Sequence, residues 1–339
     1  MKKTAAIICP GRGTYNKDEL GYLRRHHADK SAFIQTLDDF RKKNSQPLIS
    51  ILDAAETFSP QDHLRGDNAS PLIYACAYAD FLSIDQSKID IVAVTGNSMG
   101  WYIALACAGA LSPEGGMEVV NTMGTLMQER QTGGQVLYSF IDDNWREIPG
   151  KRQELLYLTN EIPDLYISIE LGGMIVFAGT DEALKTLLTK LEPQGRFPLR
   201  LPGHGAYHTP IMEPIAAKGR ALLSPDLFSA PAIPLIDGRG KIWSKYATDP
   251  AEIYAYTLDH QVTKTYDFTR AVQVTLKEFA PEILIIPGPG NTLGGAVAQS
   301  ALFIDWHGIQ AKEAFTTRQE KNPFLLSMGL EEQRRTVTI

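Results

Sequence analysis

The stretch Ile89-Asp90-Ile91-Val92-Ala93-Val94-Thr95-Gly96-Asn97-Ser98-Met99-Gly100-Trp101-Tyr102-Ile103-Ala104-Leu105-Ala106-Cys107 decides the fold. Its first seven residues are rich in β-branched side chains and continuously apolar apart from Asp90, as in a parallel strand buried on both faces. From Trp101 to Leu111 the chain reads as an apolar helix with Gly109 close to its end. Between the two, Gly96-Asn97-Ser98-Met99-Gly100 satisfies Gly-x-Ser-x-Gly, in which small residues on both sides let a serine occupy a strained turn with its hydroxyl exposed. An ordinary strand-to-helix loop also carries Gly and Ser often, but the apolar elements on either side favour catalysis. The expectation is an α/β fold whose large domain is α/β-hydrolase-like, with Ser98 as nucleophile.

Outward from this stretch, the run Ala5 to Cys9 reads as a first buried strand that ends in Pro10-Gly11-Arg12-Gly13, a turn whose backbone amides can face open space. A charged helical region spans 18–43, and a helix packed through small and aromatic residues spans about 71–82. Between 133 and 202 the pattern changes to strand 135–141, helix 144–160, strands 165–170 and 174–178, helix 181–191 and strand 197–201. That order, βαββαβ, predicts a ferredoxin-like small subdomain inserted in the larger one. A last strand, Ile283 to Ile286, ends in the turn Pro287-Gly288-Pro289-Gly290. The expected organisation is 1–132 with 203–315 as the catalytic domain, 133–202 as the subdomain, and 316–339 as a polar C-terminal tail that packs loosely or serves an assembly contact.

Length and charge limit the function. A chain of 339 residues with 44% hydrophobic residues exceeds the size at which one core stops growing, which fits a domain plus a subdomain. The net charge of -6 and the absence of long Lys/Arg runs argue against nucleic acid as a partner. No apolar stretch is long enough to span a membrane. The apolar N-terminal run stops at Pro10, too soon for a signal peptide, and Cys9, Cys76 and Cys107 have neither metal-ligand spacing nor an even count. These features read as a cytoplasmic protein with no metal site.

A serine hydroxyl needs a base to accept its proton. Of seven histidines, His26, His27, His63 and His307 lie in polar or terminal stretches and read as surface residues, which leaves His204, His208 and His260. Here the segment Gly205-Ala206-Tyr207-His208-Thr209-Pro210-Ile211-Met212 resembles the G-A-F-H-[ST]-P-x-M pattern of malonyl-CoA:acyl carrier protein transacylases. Pro10-Gly11-Arg12-Gly13 is similar to that family's P-G-Q-G, Gly96-Asn97-Ser98-Met99-Gly100 to its G-H-S-x-G, and Pro287-Gly288-Pro289-Gly290 to its late G-P-G turn. Four matches in the right order cover the chain to about residue 300. The resemblance implies Ser98 as acyl-accepting nucleophile, His208 as its base and the backbone carbonyl of Gln261 as the group that holds the imidazole. It also implies an oxyanion hole from the main-chain amides of Arg12 and Met99. His204 and His260 are out of register and take no catalytic role.

Departures from the family pattern bear on the acyl group. Met123 falls where malonyl-specific members carry an arginine that pairs with the substrate carboxylate, and methionine cannot compensate a buried charge. Glu170 falls where an asparagine lies near the acyl pocket, Asn97 replaces the histidine before the nucleophile, and Trp101 replaces the glutamate after it and would narrow the pocket. The reading is an acyltransferase moving an acyl group, without a carboxylate, from acyl-CoA through Ser98 to the phosphopantetheine thiol of an acyl carrier protein. No cofactor is implied; the CoA thioester is a substrate, the carrier protein a transient partner and the enzyme a monomer. The alternative that keeps an anionic acyl group has Arg12 reach across to replace the missing cation. Two rivals keep the sequence but change the outcome: a thioester hydrolase with the same Ser-His dyad, and a docking protein without turnover.

Overall fold

The computed structural model describes residues 2–338. Its strands are β1 (Lys3–Cys9), β2 (Ile89–Gly96), β3 (Gly134–Ser139), β4 (Leu165–Leu171), β5 (Met174–Gly179), β6 (Leu199–Arg200), β7 (Leu235–Ile236), β8 (Ile242–Trp243), β9 (Tyr266–Asp267), β10 (Ile283–Ile286) and β11 (Leu325–Ser327). They form two sheets, one in the order β11-β10-β1-β2-β7-β8 and the other β6-β3-β5-β4-β9.

The large sheet is parallel except for the β7–β8 pair at its edge. Ala5 to Cys9 of its central strand are completely buried, as a strand with neighbours on both edges and helices on both faces must be. The helices Gly66–Ser83, Gly100–Cys107 and Pro113–Glu129 pack together beside it. The first begins earlier than the expected start at residue 71, and Pro71 lies inside it. A proline there cannot donate to the carbonyl of Asp67. Arg41 Nη1 donates to that carbonyl instead at 2.5 Å, from a side chain that is wholly buried and also binds Asn121 Oδ1 at 2.8 Å.

In the small sheet β3, β4, β5 and β6 are antiparallel, and the helices Lys151–Glu161 and Asp181–Lys190 connect them as a βαββαβ unit. One face, with Val136, Tyr138, Ile175 and Phe177, packs with those helices in a core of its own. The other face, with Leu137, Ile169 and Val176, joins the main core. The two sheets are stitched by β9, which enters from the large part of the chain and pairs in parallel with β4. The fold is α/β, with a large α/β domain and a small ferredoxin-like subdomain.

The C-terminal segment departs from expectation. Instead of a loose polar tail, 316–338 supplies the end of a helix (Lys312–Lys321) and then β11, which pairs in parallel with β10. Phe324, Leu325, Leu326, Met328 and Val337 are buried. Arg334 is buried with them and reaches both Asp80 and Tyr22 Oη. Asp80 also takes hydrogen bonds from His27 Nε2 at 2.7 Å, Tyr22 Oη at 2.8 Å and the Gly288 amide at 2.6 Å. Burial alone would raise the Asp80 carboxyl, but the His27 hydrogen bond and the Arg334 charge hold it below the ordinary carboxylate range. His27 and His63 are both buried, contrary to their reading as surface residues.

Removing one member of a buried ion pair strands the other. Arg334→Met is expected to lower stability by about 3 kcal/mol, read as a lower urea midpoint with an unchanged slope. An unchanged midpoint would show that the remaining partners of Asp80 suffice.

Candidate active site

The turn after β2 is shaped by a close approach of backbones. A Cβ on Gly96 would stand 2.2 Å from the Gly100 carbonyl oxygen, and one on Gly100 would stand 2.3 Å from the carbonyl oxygen of Cys9, the last residue of β1. Only glycine fits at either position. The Asn97 amide donates to that same Cys9 carbonyl at 3.0 Å, so the turn is tied to the end of the neighbouring strand. Ser98 between the glycines has φ +54°, a left-handed conformation that an L residue adopts at a cost. The helix Gly100–Cys107 then carries the chain away.

Ser98 Oγ lies 2.7 Å from His208 Nε2, and His208 Nδ1 lies 2.6 Å from the carbonyl oxygen of Gln261. Because a carbonyl only accepts, Nδ1 carries the proton and Nε2 presents its lone pair to the serine. Burial pushes the imidazole down to about 4, with the Gln261 hydrogen bond opposing part of that shift. His208 itself has φ +59°. Its segment is pinned by Thr209 Oγ1, which donates to the Ala206 carbonyl at 2.6 Å, and by Ser168 Oγ, which donates to the Tyr207 carbonyl at 2.8 Å. Ser168 in turn accepts from Gln135 Nε2 at 2.6 Å, and Gln135 Oε1 meets His204 Nδ1 at 2.7 Å.

Gln261 does more than its carbonyl suggests. Its Nε2 donates to the Ser98 carbonyl at 3.1 Å and its Oε1 accepts from Tyr102 Oη at 3.0 Å, so one residue holds the serine backbone and the histidine ring together. Tyr266 Oη, from β9, donates to the Gly96 carbonyl at 2.6 Å and lays its ring 5.5 Å from that of His208. Gln135, Ser168, Tyr266 and the Gln261 side chain escaped the sequence reading. Each is a single polar residue in a strand or helix whose partner is distant in the chain, and no local motif marks it.

Two cavities meet at Ser98. The larger, about 400 Å³, lies between the sheets and takes in Leu137, Ile169, Leu171 and Val176 of the small one together with Asn97 and Arg12. The smaller, about 20 Å³, is lined by Met99, Tyr102, Val120, Met123, Met127 and His208 among others. Met123 thus lines the smaller cavity together with Ser98, and Asn97 lines the larger cavity with a buried Oδ1 that has no partner among the described residues. The amides of Arg12 and Met99 likewise donate to no group among the described residues.

Two pocket expectations fail. Glu170 lines neither cavity; it faces Arg152, whose Nη2 lies 2.5 Å from its Oε2. A register shift between Ile167 and Ile169 turns Ile169 and Leu171 toward the cavity and Glu170 away, so a count along the strand lands on the wrong face. Trp101 does not narrow the pocket. It is fully buried beneath the turn, its Nε1 donates to Thr257 Oγ1 at 2.9 Å and its ring meets Tyr256 edge-on. His204 lines the larger cavity through its bond to Gln135, and His260 stacks on Tyr256. Among the described residues no group of three or more His, Cys, Asp or Glu side chains is arranged to hold a metal ion, and no helix is long and apolar enough to cross a membrane.

The low position of His208 has a measurable consequence. Its ring is expected to titrate near pH 4 rather than 6.5 in histidine side-chain NMR spectra. Because the unfolded chain takes up this proton first, the contribution of His208 lowers stability as pH falls from about 6.5 to about 4. A midpoint near 6.5 would mean that the ring is solvated.

No family model matches the chain. A phenolphthiocerol/phthiocerol polyketide synthase protein of Mycobacterium tuberculosis is 25% identical over 298 residues, which are 86% of this chain and 18% of that protein. This chain therefore spans less than a fifth of that curated relative. Among solved structures, the malonyl-CoA:ACP transacylase of Synechocystis sp. PCC 6803 superposes with a TM-score of 0.75 at 16% identity, covering 99% of this chain and 100% of that one. The acyl-carrier-protein S-malonyltransferase of Burkholderia pseudomallei 1710b gives 0.75 at 21% identity, with 99% of each chain covered. The resemblance read from four separated motifs holds: the chain has the fold of the malonyl-CoA:acyl carrier protein transacylases.

Proposed function

We propose that the chain is an acyltransferase that carries an uncharged acyl group on Ser98 between a CoA thioester and the phosphopantetheine thiol of an acyl carrier protein. The observation that supports it best is the relay of Ser98, His208 and the Gln261 carbonyl, at 2.7 and 2.6 Å, set at the meeting point of two cavities.

The chemistry follows from those contacts. Ser98 Oγ attacks the thioester carbon while its proton passes to His208 Nε2, and the Gln261 carbonyl steadies the imidazolium through Nδ1–H. The charge that develops on the thioester oxygen is met by the amides of Arg12 and Met99, backbone donors that a side-chain replacement leaves intact. The carbon–sulfur bond breaks, CoA departs with the proton from His208, and the acyl group remains on Ser98. In the second half the carrier thiol gives its proton to His208, its sulfur attacks the acyl carbon, the bond from that carbon to Ser98 Oγ breaks, and Oγ recovers the proton from His208. The larger cavity takes the pantetheine arm, where Asn97 Oδ1 can accept from one of the arm's amides. No cofactor beyond the thioester substrates enters this scheme.

The acyl group sits in the smaller cavity, beside Met123. Among the described residues the one arginine on its wall is Arg12, whose Nη1 donates to Tyr207 Oη at 2.7 Å and whose Nη2 donates to the Leu64 carbonyl at 2.9 Å. A guanidinium committed in this way does not offer the paired donors that a carboxylate needs.

Intact-protein mass spectrometry after incubation with acetyl-CoA and malonyl-CoA in parallel tests the reading. The expected outcome is an acetyl adduct that forms faster than a malonyl one, is absent in Ser98→Ala and moves to a holo carrier protein. A dominant malonyl adduct would overturn the uncharged acyl group. Release of free acid in place of acyl carrier protein would make the chain a hydrolase, and absence of any adduct would leave it a docking protein.

A further inference from the structure

We propose that His204 binds the pantetheine arm of the thioester, its Nε2 accepting a hydrogen bond from one of the arm's amide N–H groups. The inference rests on the transferase reading above and adds a residue that recognises the substrate. His204 lines the larger cavity, where its ring is only partly buried.

The protonation of that ring is fixed from the far end of a hydrogen-bond chain. The Tyr207 carbonyl only accepts, so Ser168 Oγ gives its proton there, at 2.8 Å, and has lone pairs alone to offer Gln135. Gln135 therefore turns its amide nitrogen to Ser168, at 2.6 Å, and its Oε1 to His204 Nδ1, at 2.7 Å. An amide oxygen accepts, so Nδ1 of His204 carries a proton. Ser168 and Gln135 are buried, and no water competes for their bonds. Desolvation, and after it the nearby charge of Arg12, pushes the His204 imidazole down to about 3. At neutral pH its Nε2 is therefore a lone pair, and it meets no donor among the described residues.

This acceptor selects a class of ligand. A carboxylate or phosphate oxygen would face another lone pair, so the group that suits Nε2 is a neutral N–H or O–H donor. The small-sheet wall of the same cavity is aliphatic, with Leu137, Ile169, Leu171 and Val176. An N–H that enters such a space loses its water and needs an acceptor. A pantetheine arm matches both features, since its methylenes suit the wall and its two secondary amides each bring an N–H. Asn97 Oδ1, next to the serine, suits one of them and His204 Nε2 the other. The chain from His204 ends on the carbonyl of the residue before the base, so an arm held by His204 is held in register with His208. His204 acts by binding and moves no proton.

The test pairs changes in the enzyme with changes in the arm. The donors are S-acetylpantetheine and two analogues in which one amide at a time is an ester, which deletes an N–H and keeps the length. Adduct formation on Ser98 is followed by intact-protein mass spectrometry, as a second-order rate, for the wild type, His204→Phe and Gln135→Met. The wild type is expected to react about 10-fold more slowly with the analogue that lacks the N–H bound by His204. In His204→Phe the parent donor should slow by about 10-fold and lose its advantage over that analogue, while its ratio to the other analogue stays as in the wild type. Gln135→Met, which frees the ring, should shrink the same advantage. A folding defect slows all three donors by one factor and leaves the ratios unchanged, so wild-type ratios in both variants overturn the proposal. Full speed of the wild type with both esters overturns it as well. Absence of an adduct from every donor is a different result, which defeats the transferase reading on which this site depends.

Discussion

The contact between Gly100 and the last carbonyl of β1 is the constraint on which the site depends. With 2.3 Å between that oxygen and any Cβ at position 100, the helix that follows Ser98 can sit where it does only because the side chain is absent. Its closeness forces the chain to reverse within the turn, and the reversal places Ser98 at φ +54° with Oγ toward the gap between the sheets. Such a conformation costs about 1–3 kcal/mol and persists because its surroundings fix it. The Cys9 carbonyl, the Gln261 amide and Tyr266 all bond to the backbone of Gly96, Asn97 or Ser98.

The other half of the relay comes from chain that lies beyond the inserted subdomain. His208 follows β6, and Gln261 precedes β9, the strand that closes the small sheet against β4. The insertion thus returns the chain to the serine, and β9 locks the return. Gln261 turns this topology into a fixed geometry. Its three contacts, to His208 Nδ1, the Ser98 carbonyl and Tyr102 Oη, mean that a shift of the histidine ring would disturb the serine turn as well. In the proposed reaction, placement of both groups by one residue is a form of pre-organisation, which lowers the reorganisation needed at the transition state.

What the sequence disclosed follows from what is local. The apolar run of β2, the glycines of the turn and the alternation of the βαββαβ unit are short-range patterns, and such patterns predicted β1 to β6 and β10 to within a few residues, while the two-residue strands β7, β8 and β9 went unread. His208 and the Gln261 carbonyl were legible through motif resemblance, not through spacing. Glu170 was misplaced because one irregularity in β4 reverses which residues face the cavity. β11 was missed since two leucines and a serine in a polar segment carry little periodic signal, and they become a strand only against β10. His27 and Arg334 looked like surface residues, or went unremarked, for want of any sign that Asp80 awaited them in the core.

In the proposed transferase, charge at the reacting end ties the acyl group to the histidine. The smaller cavity has two ionisable groups with a positive form on its wall, Arg12 and His208. His208 is held neutral by burial, which is what a base for Ser98 requires, so it cannot also neutralise an anion. Arg12 commits both terminal nitrogens to Tyr207, Leu64 and Gly203. A carboxylate brought to Met123 would lose its water and gain no paired cation, a penalty of several kcal/mol. On the proposed reading an acyl group without charge avoids this cost, because its burial beside Met123 and Met127 is favourable and leaves the Ser98–His208 pair electrically undisturbed.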